Sequence, residues 1–291
     1  MPNAYYCFVA GFPDFCLDDP KLPINLKGLR SDLAEQLAAE DRIHLAELFY
    51  PIDNKNFLAV LLAAGAKGHG DARPEQAHDA LGNFTREEIE EEIRVPLIIP
   101  KYMVEFLEVY RAGLSAGTLP ENVLAELMYD HLSKSKNAFI REWFAFDRDI
   151  RNITVALGSR RMGSDPERGI VGEGLVADAA ARASGADFGL SRELTWLEPL
   201  LRGYHSGLLD RELLIDKIRL DMLEELTLKS SFSLDRVLAL VTRLSIAERW
   251  PGLDGTRGRA LLSRVLSDME SELVFPDEFS IRGGRKHGDN R

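Results

Sequence analysis

The stretch PIDNKNFLAVLL, residues 51–62, sets Asp53 and Asn56 at the head of an otherwise apolar run. A second stretch, FDRDIRNITVAL, residues 146–157, repeats the arrangement with Asp149 and Asn152, then Ile153, Val155 and Leu157. Both fit the pattern Asp-x-[Lys/Arg]-Asn-[Phe/Ile]. The spacing predicts two buried helices, each opened by the same carboxylate and amide. An Asp at a helix start accepts from the free N–H groups there, worth ~1 kcal/mol. A buried Asn three residues on costs about 1–3 kcal/mol unless it is paired. Such an Asn therefore dictates what can pack against it.

A further copy is expected downstream. Leu127–Met128–Tyr129–Asp130 lies over Leu213–Leu214–Ile215–Asp216, and nineteen residues beyond each Asp stands another, Asp149 and Asp235. In this alignment Phe146 falls on Phe232 and Val155 on Val241, while Leu238 takes the place of the Asn. Self-similarity of this kind marks a fold built from repeated helical units. Asp53, Asn56, Asp130, Asp149, Asn152, Asp216 and Asp235 are then structural positions, acting as caps and core brackets.

The rest of the chain carries a helical period. Apolar residues spaced three to four apart predict helices over 26–39, 41–50, 101–114, 121–132, 138–159, 175–183, 191–201, 210–227, 233–250 and 258–273. Thr85 followed by Glu88 is a capping-box pattern and starts another helix. The acidic run REEIEEEIR, residues 86–94, reads as a solvated face. VPLIIP, residues 95–100, is bracketed by prolines and reads as a loop, as does GSDPERGIVGEG, residues 163–174. Only YYCFVAG, residues 5–11, fits strand and helix equally. The expected fold class is all-α, a single helical domain over 1–275 with three pseudo-repeats (about 1–110, 111–205 and 206–275) and a flexible tail at 276–291.

Composition excludes several roles. Apolar residues make up 45% of 291 positions, enough for a sizeable core, and the net charge of −11 opposes nucleic acid as main partner. The longest apolar run, residues 57–66, is too short to span a bilayer. The N-terminus lacks the basic region of a secretory signal. Cys7 and Cys16 are expected to be buried small hydrophobes in a reducing cytoplasm.

Catalytic chemistry has few candidates. His69, Asp71, His78 and Asp79 lie in a Gly-rich loop rather than on the rigid elements a metal site uses. No phosphate-binding Gly-Lys-Ser/Thr and no His-Glu-x-x-His is present. No catalytic residue, cofactor or metal is therefore expected.

The Asp-x-x-Asn helices, preceded by acidic helical hairpins, resemble the C subunit of archaeal and bacterial V-type ATPases, the d subunit of the eukaryotic enzyme. The whole chain is also similar to a bacterial family encoded within V-type ATP synthase operons. The stretches that carry this second likeness are YYCFVAGFPDFCLDDPKLP, FYPIDNKNFLAVLL, GNFTREEIEEEI, IPKYMVEFLEVY and ADFGLSRELTWLEPLL. Departures from the C subunit are the missing third Asn, Gly158 where that motif tends to carry an Arg, and a shorter chain. The resemblance implies a three-lobed helical funnel acting as a non-catalytic central-stalk subunit. Its partners would be the rotor shaft and the membrane ring. It would be cytoplasmic, peripheral on the inner face of the plasma membrane, and would touch the membrane only through partners. Two other readings stay open: a free-standing helical protein–protein adaptor, and a metal-dependent enzyme using the His69–Asp79 loop.

Overall fold

The computed structural model describes residues 5–17, 19, 21–66 and 77–250. Among these residues the fold is all-α and contains no strand. The helices are α1 (Tyr6–Gly11), α2 (Leu26–Gln36), α3 (Ala39–Glu47), α4 (Tyr50–Ala66), α5 (Arg86–Arg94), α6 (Lys101–Ala112), α7 (Pro120–Ser133), α8 (Ala138–Met162), α9 (Leu175–Arg182), α10 (Leu197–Gly203), α11 (Leu208–Thr227) and α12 (Leu234–Ala247). A short 3-10 turn, Pro166–Arg168, lies between α8 and α9. No helix of the described residues is long and apolar enough to cross a membrane.

Local sequence sets the boundaries. Thr85 Oγ1 accepts from the Glu88 N–H at 3.2 Å and Glu88 Oε2 accepts from the Thr85 N–H at 2.8 Å, the capping box at the head of α5. Asn137 caps α8, its side chain accepting from the Ile140 N–H at 2.9 Å. Gly163 closes α8 in the left-handed region at φ +66°. Between α3 and α4 the backbone stays helical at Leu48, so the two follow each other end to end. Pro51 has no N–H to donate there, and the Phe49 carbonyl instead accepts from Ile52 and Asp53 at 2.9 and 3.0 Å.

Several expectations are corrected. The open choice between strand and helix at residues 5–11 falls to helix: Tyr6–Gly11 form α1, whose entry is fixed by the Tyr5 N–H donating to the Phe232 carbonyl at 2.8 Å. Residues 191–196 are turns, so the helix expected over 191–201 shrinks to α10. The Asp187 side chain takes the Gly189 N–H at 3.1 Å and the Ser191 hydroxyl at 2.8 Å, and this local bonding competes with a helix. Cys7 and Cys16 are exposed, not buried. α5 is not wholly solvated, since Ile89 and Glu92 are buried. The helix expected over 258–273 and the tail at 276–291 lie outside the described residues.

Helix contacts follow one scheme along the chain. α4 packs on α5 and α7, and α8 packs on α9 and α11. α6 packs on α7, and α10 on α11. Each long helix thus meets a short helix of its own unit and the first helix of the next. The final described helix, α12, packs back on α2, with further contacts to α1 and α3. The path back to α4 runs through α3, which leads end to end into α4, and through Arg30 of α2, which bonds the loop at residues 81–83. One contiguous core runs through it, including Phe57, Tyr102, Phe106, Leu132, Ile150, Leu197 and Val237. At ~25 cal/mol per Å² of apolar surface, such burial is the main stabilising term.

Candidate functional site

Asn152 is fully buried in the middle of α8. Its Nδ2 donates to the Val171 carbonyl at 2.9 Å and its Oδ1 accepts from the Val171 N–H at 3.0 Å. Asn56 in α4 does the same to Asp79: Nδ2 to the carbonyl at 2.9 Å, Oδ1 from the N–H at 2.9 Å. Each amide therefore saturates both backbone groups of one residue in the loop that follows its helix. That loop leads into the next short helix, α5 or α9. Gly172, at φ +73°, turns the chain directly after Val171.

The partner carboxylates differ. Asp53 lies in the first turn of α4, as expected, and is buried. It accepts from the Asn83 backbone N–H at 2.6 Å and from the Asn83 side-chain amide. Arg30 from α2 covers the same loop. It donates to the carbonyls of Leu81 and Gly82 and to Asn83 Oδ1 at 2.6 Å, with its guanidinium 4.2 Å from the Phe49 ring centroid. Burial pushes the Asp53 carboxyl up to about 6, against the opposing pull of the Asn83 bonds and of Arg30. Asp149 is not at a helix start: α8 begins at Ala138. Asp149 pairs with its neighbour Arg148 at 3.1 Å, and burial raises its pKa against that pairing.

The downstream alignment changes register. Its displacement carries Ser135, in the turn after α7, onto Asp221 inside α11. Asp235 is the second residue of α12 and accepts from Asn137 Nδ2 at 2.8 Å, while Leu238 is core. The displacement from Asp53 to Asp149 instead carries Asn137, the cap of α8, onto Ser233, the cap position of α12, and Asn152 onto Glu248. Glu248 Oε1 also holds a backbone N–H, that of Leu26 at the start of α2, at 2.5 Å.

Asp130 and Asp216, aligned in sequence, sit in opposite surroundings. Asp130 is exposed and pairs with Lys134 at 2.6 Å. Asp216 is fully buried and accepts from Arg249 at 2.6 Å, Trp250 Nε1 at 2.9 Å and Arg219 at 3.2 Å. Arg219 reaches on to Asp147 at 3.3 Å, which accepts from the Tyr129 hydroxyl at 2.8 Å. Burial opposes the Arg219 charge, but Asp147 and Asp216 outweigh it and raise its pKa. This network ties α7, α8 and α11 to the chain leaving α12.

The sequence reading missed Arg30, Asn83, Glu92, Asp147 and Arg219, because each acts on a partner distant in sequence or hidden in a charged run. Glu92 Oε2 accepts from three successive N–H groups, Leu97 at 2.6 Å, Ile98 at 3.0 Å and Ile99 at 3.2 Å. Burial works against its charge, yet these three donors prevail and hold it below the usual glutamate range. The prolines at 96 and 100 were the available signal that something must fix this loop.

Of the metal candidates, His69 and Asp71 lie outside the described residues. Asp79 is engaged through its backbone by Asn56, and His78 Nδ1 has no hydrogen-bond partner among the described residues. No group of three His, Cys, Asp or Glu among the described residues is arranged to hold a metal. What these clusters do is position helices and loops.

A family model described as a protein of unknown function (DUF2764) matches residues 1–273. The chain belongs to the DUF2764 family. The match spans every described helix, so the whole helical array is the DUF2764 unit. No curated protein and no solved structure matches the chain.

Proposed function

We propose that this DUF2764 chain is a non-catalytic central-stalk subunit of a V-type ATPase or ATP synthase, a counterpart of its C (eukaryotic d) subunit. It seats the rotor shaft and rests on the membrane ring at the inner face of the plasma membrane. It passes torque between them and performs no bond chemistry of its own. One observation carries the reading: the contact scheme of α4 on α7, α8 on α11 and α12 on α2, which repeats along the chain and returns to its first helices. Helix units that pack on one another in succession, with the last returning to the first helices of the chain, resist shear better than an open stack. The bracketing asparagines add to this by fixing loops that would otherwise be soft.

Deleting the gene tests the reading. ATP hydrolysis by the detached catalytic head is expected to persist. ATP-driven ion transport in inverted membrane vesicles is expected to be lost and restored by the wild-type chain. Transport at wild-type level in the deletion strain would overturn it.

A further inference from the structure

One guanidinium serves two carboxylates of unequal burial. Arg219 Nη1 donates to Asp216 of α11 at 3.2 Å, and its Nη2 donates to Asp147 of α8 at 3.3 Å. A charged N–H···O bond closes to about 2.7–2.9 Å when nothing opposes it. Arg219 thus lends one arm to each partner, where a two-armed grip on either would be tighter.

The two carboxylates have different means of support. Asp216 is fully buried and is held by Arg219, Arg249 and Trp250 Nε1. Arg249 and Trp250 belong to the chain that leaves α12, and the Arg249 side chain is half exposed. The Asp147 side chain is 22% exposed, so water reaches it. It also accepts from the Tyr129 hydroxyl of α7 at 2.8 Å.

That inequality decides where Arg219 goes when a partner is lost. If Arg249 and Trp250 withdraw, Asp216 keeps Arg219 alone in a place without solvent. A buried charge stripped of its partners is costly, whereas a carboxylate open to water gives up an ion pair at small loss. Arg219 therefore turns both arms to Asp216 and leaves Asp147 to Tyr129 and water. Arg151, the other arginine that acts on Tyr129, is not free to replace it. It is bonded to the Gly169 carbonyl at 3.1 Å and to Asn122 at 2.7 Å.

We propose that Arg219 is a two-position switch that couples the exit of the chain from α12 to the pairing of α7, α8 and α11. With Arg249 and Trp250 seated on Asp216, Arg219 bridges α11 to α8. With them withdrawn, Arg219 closes on Asp216 and that bridge opens. A partner that draws on the chain beyond Trp250 is thereby felt at Asp147 and, through Tyr129, at α7. The proposal goes beyond the stalk reading and stands or falls independently of it.

A double-mutant cycle on the purified full chain tests it, with unfolding in urea followed by circular dichroism. Arg249→Ala is measured in wild type and in Asp147→Asn. Its effect on the unfolding equilibrium constant is expected to be smaller in the second background by about fivefold or more, because Arg219 is already free there to close on Asp216. Repeating the cycle with Arg219→Lys separates the switch from direct repulsion between the two carboxylates. A lysine ammonium is a point donor that cannot serve both, so the coupling is expected to vanish. Where Arg249→Ala does not fold, Trp250→Phe removes a single neutral donor and runs the same cycle. Additive effects of the two substitutions, or a coupling that persists unchanged with lysine at position 219, would overturn the proposal.

Discussion

Asn152 holds Val171 by both its backbone groups, at 2.9 and 3.0 Å, from the fully buried middle of α8. Asn56 holds Asp79 in the same way from α4. An amide side chain is the natural residue for this task, because it carries one donor and one acceptor in a plane, matching the N–H and C=O of a single residue.

The two brackets differ in burial, and that difference is testable. Val171 is buried, whereas Asp79 is exposed and water can replace a lost bond. Asn152→Leu is predicted to cost about 3 kcal/mol, since two buried backbone groups are left unpaired. Asn56→Leu is predicted to cost roughly half as much. Urea denaturation of both variants checks the order. Equal losses would show that solvent access to the loop does not matter.

Gly82 has no room for a side chain. A Cβ there would stand 2.8 Å from both Asn56 Nδ2 and Asp53 Oδ1, and each of those atoms is held by bonds to the same loop. Gly82→Ala is predicted to destabilise by about 1–3 kcal/mol, the range for overpacking. A melting temperature unchanged from wild type would contradict this.

Much of this was legible in the sequence, for a physical reason. Helix spans follow from apolar periodicity and from caps such as Thr85–Glu88, which act over a few residues. The pairing role of Asn56 and Asn152 follows from their type and their apolar neighbours. Partner identity does not: Val171 and Asp79 are held through their backbones, and backbone groups leave no mark on residue type. Glu92 hid inside REEIEEEIR because its neighbours are solvated and its own partners are N–H groups. The Asp216 network was hidden for another reason. Asp130 and Asp216 follow the same local apolar pattern, and only tertiary contacts make one exposed and the other a buried hub.

Asp53 gives a pH signature. Its pKa is pushed up to about 6 in the folded chain from an ordinary value of 3.8. The folded state therefore binds this proton more tightly than the unfolded state. Its contribution is fully present below about pH 4 and is lost as pH rises through about 6. The stability of wild type relative to Asp53→Asn is predicted to fall by roughly 2 kcal/mol between pH 4 and pH 7. Denaturant midpoints for both proteins at the two pH values measure it. A difference that is constant or grows with pH would be the wrong sign.

Asp216 is the joint between α11 and the chain beyond α12. Asp216→Ala frees Arg249 and Trp250 and leaves Arg219 with Asp147 alone. The predicted loss is about 3–5 kcal/mol, the range for breaking a buried ion pair from one side. Trp250, retained as the sole tryptophan, is predicted to show red-shifted emission in this variant. Unshifted emission would mean that Arg249 and Trp250 do not depend on the carboxylate.

The stalk role is tested most directly by what travels with the protein. The affinity-tagged chain is purified from detergent-solubilised membranes of its own organism, and the co-eluting subunits are identified by mass spectrometry. The account predicts recovery of the V-type catalytic head, the shaft and the membrane ring in fixed stoichiometry with the chain. Elution of the chain alone from membranes that contain the intact complex would contradict it.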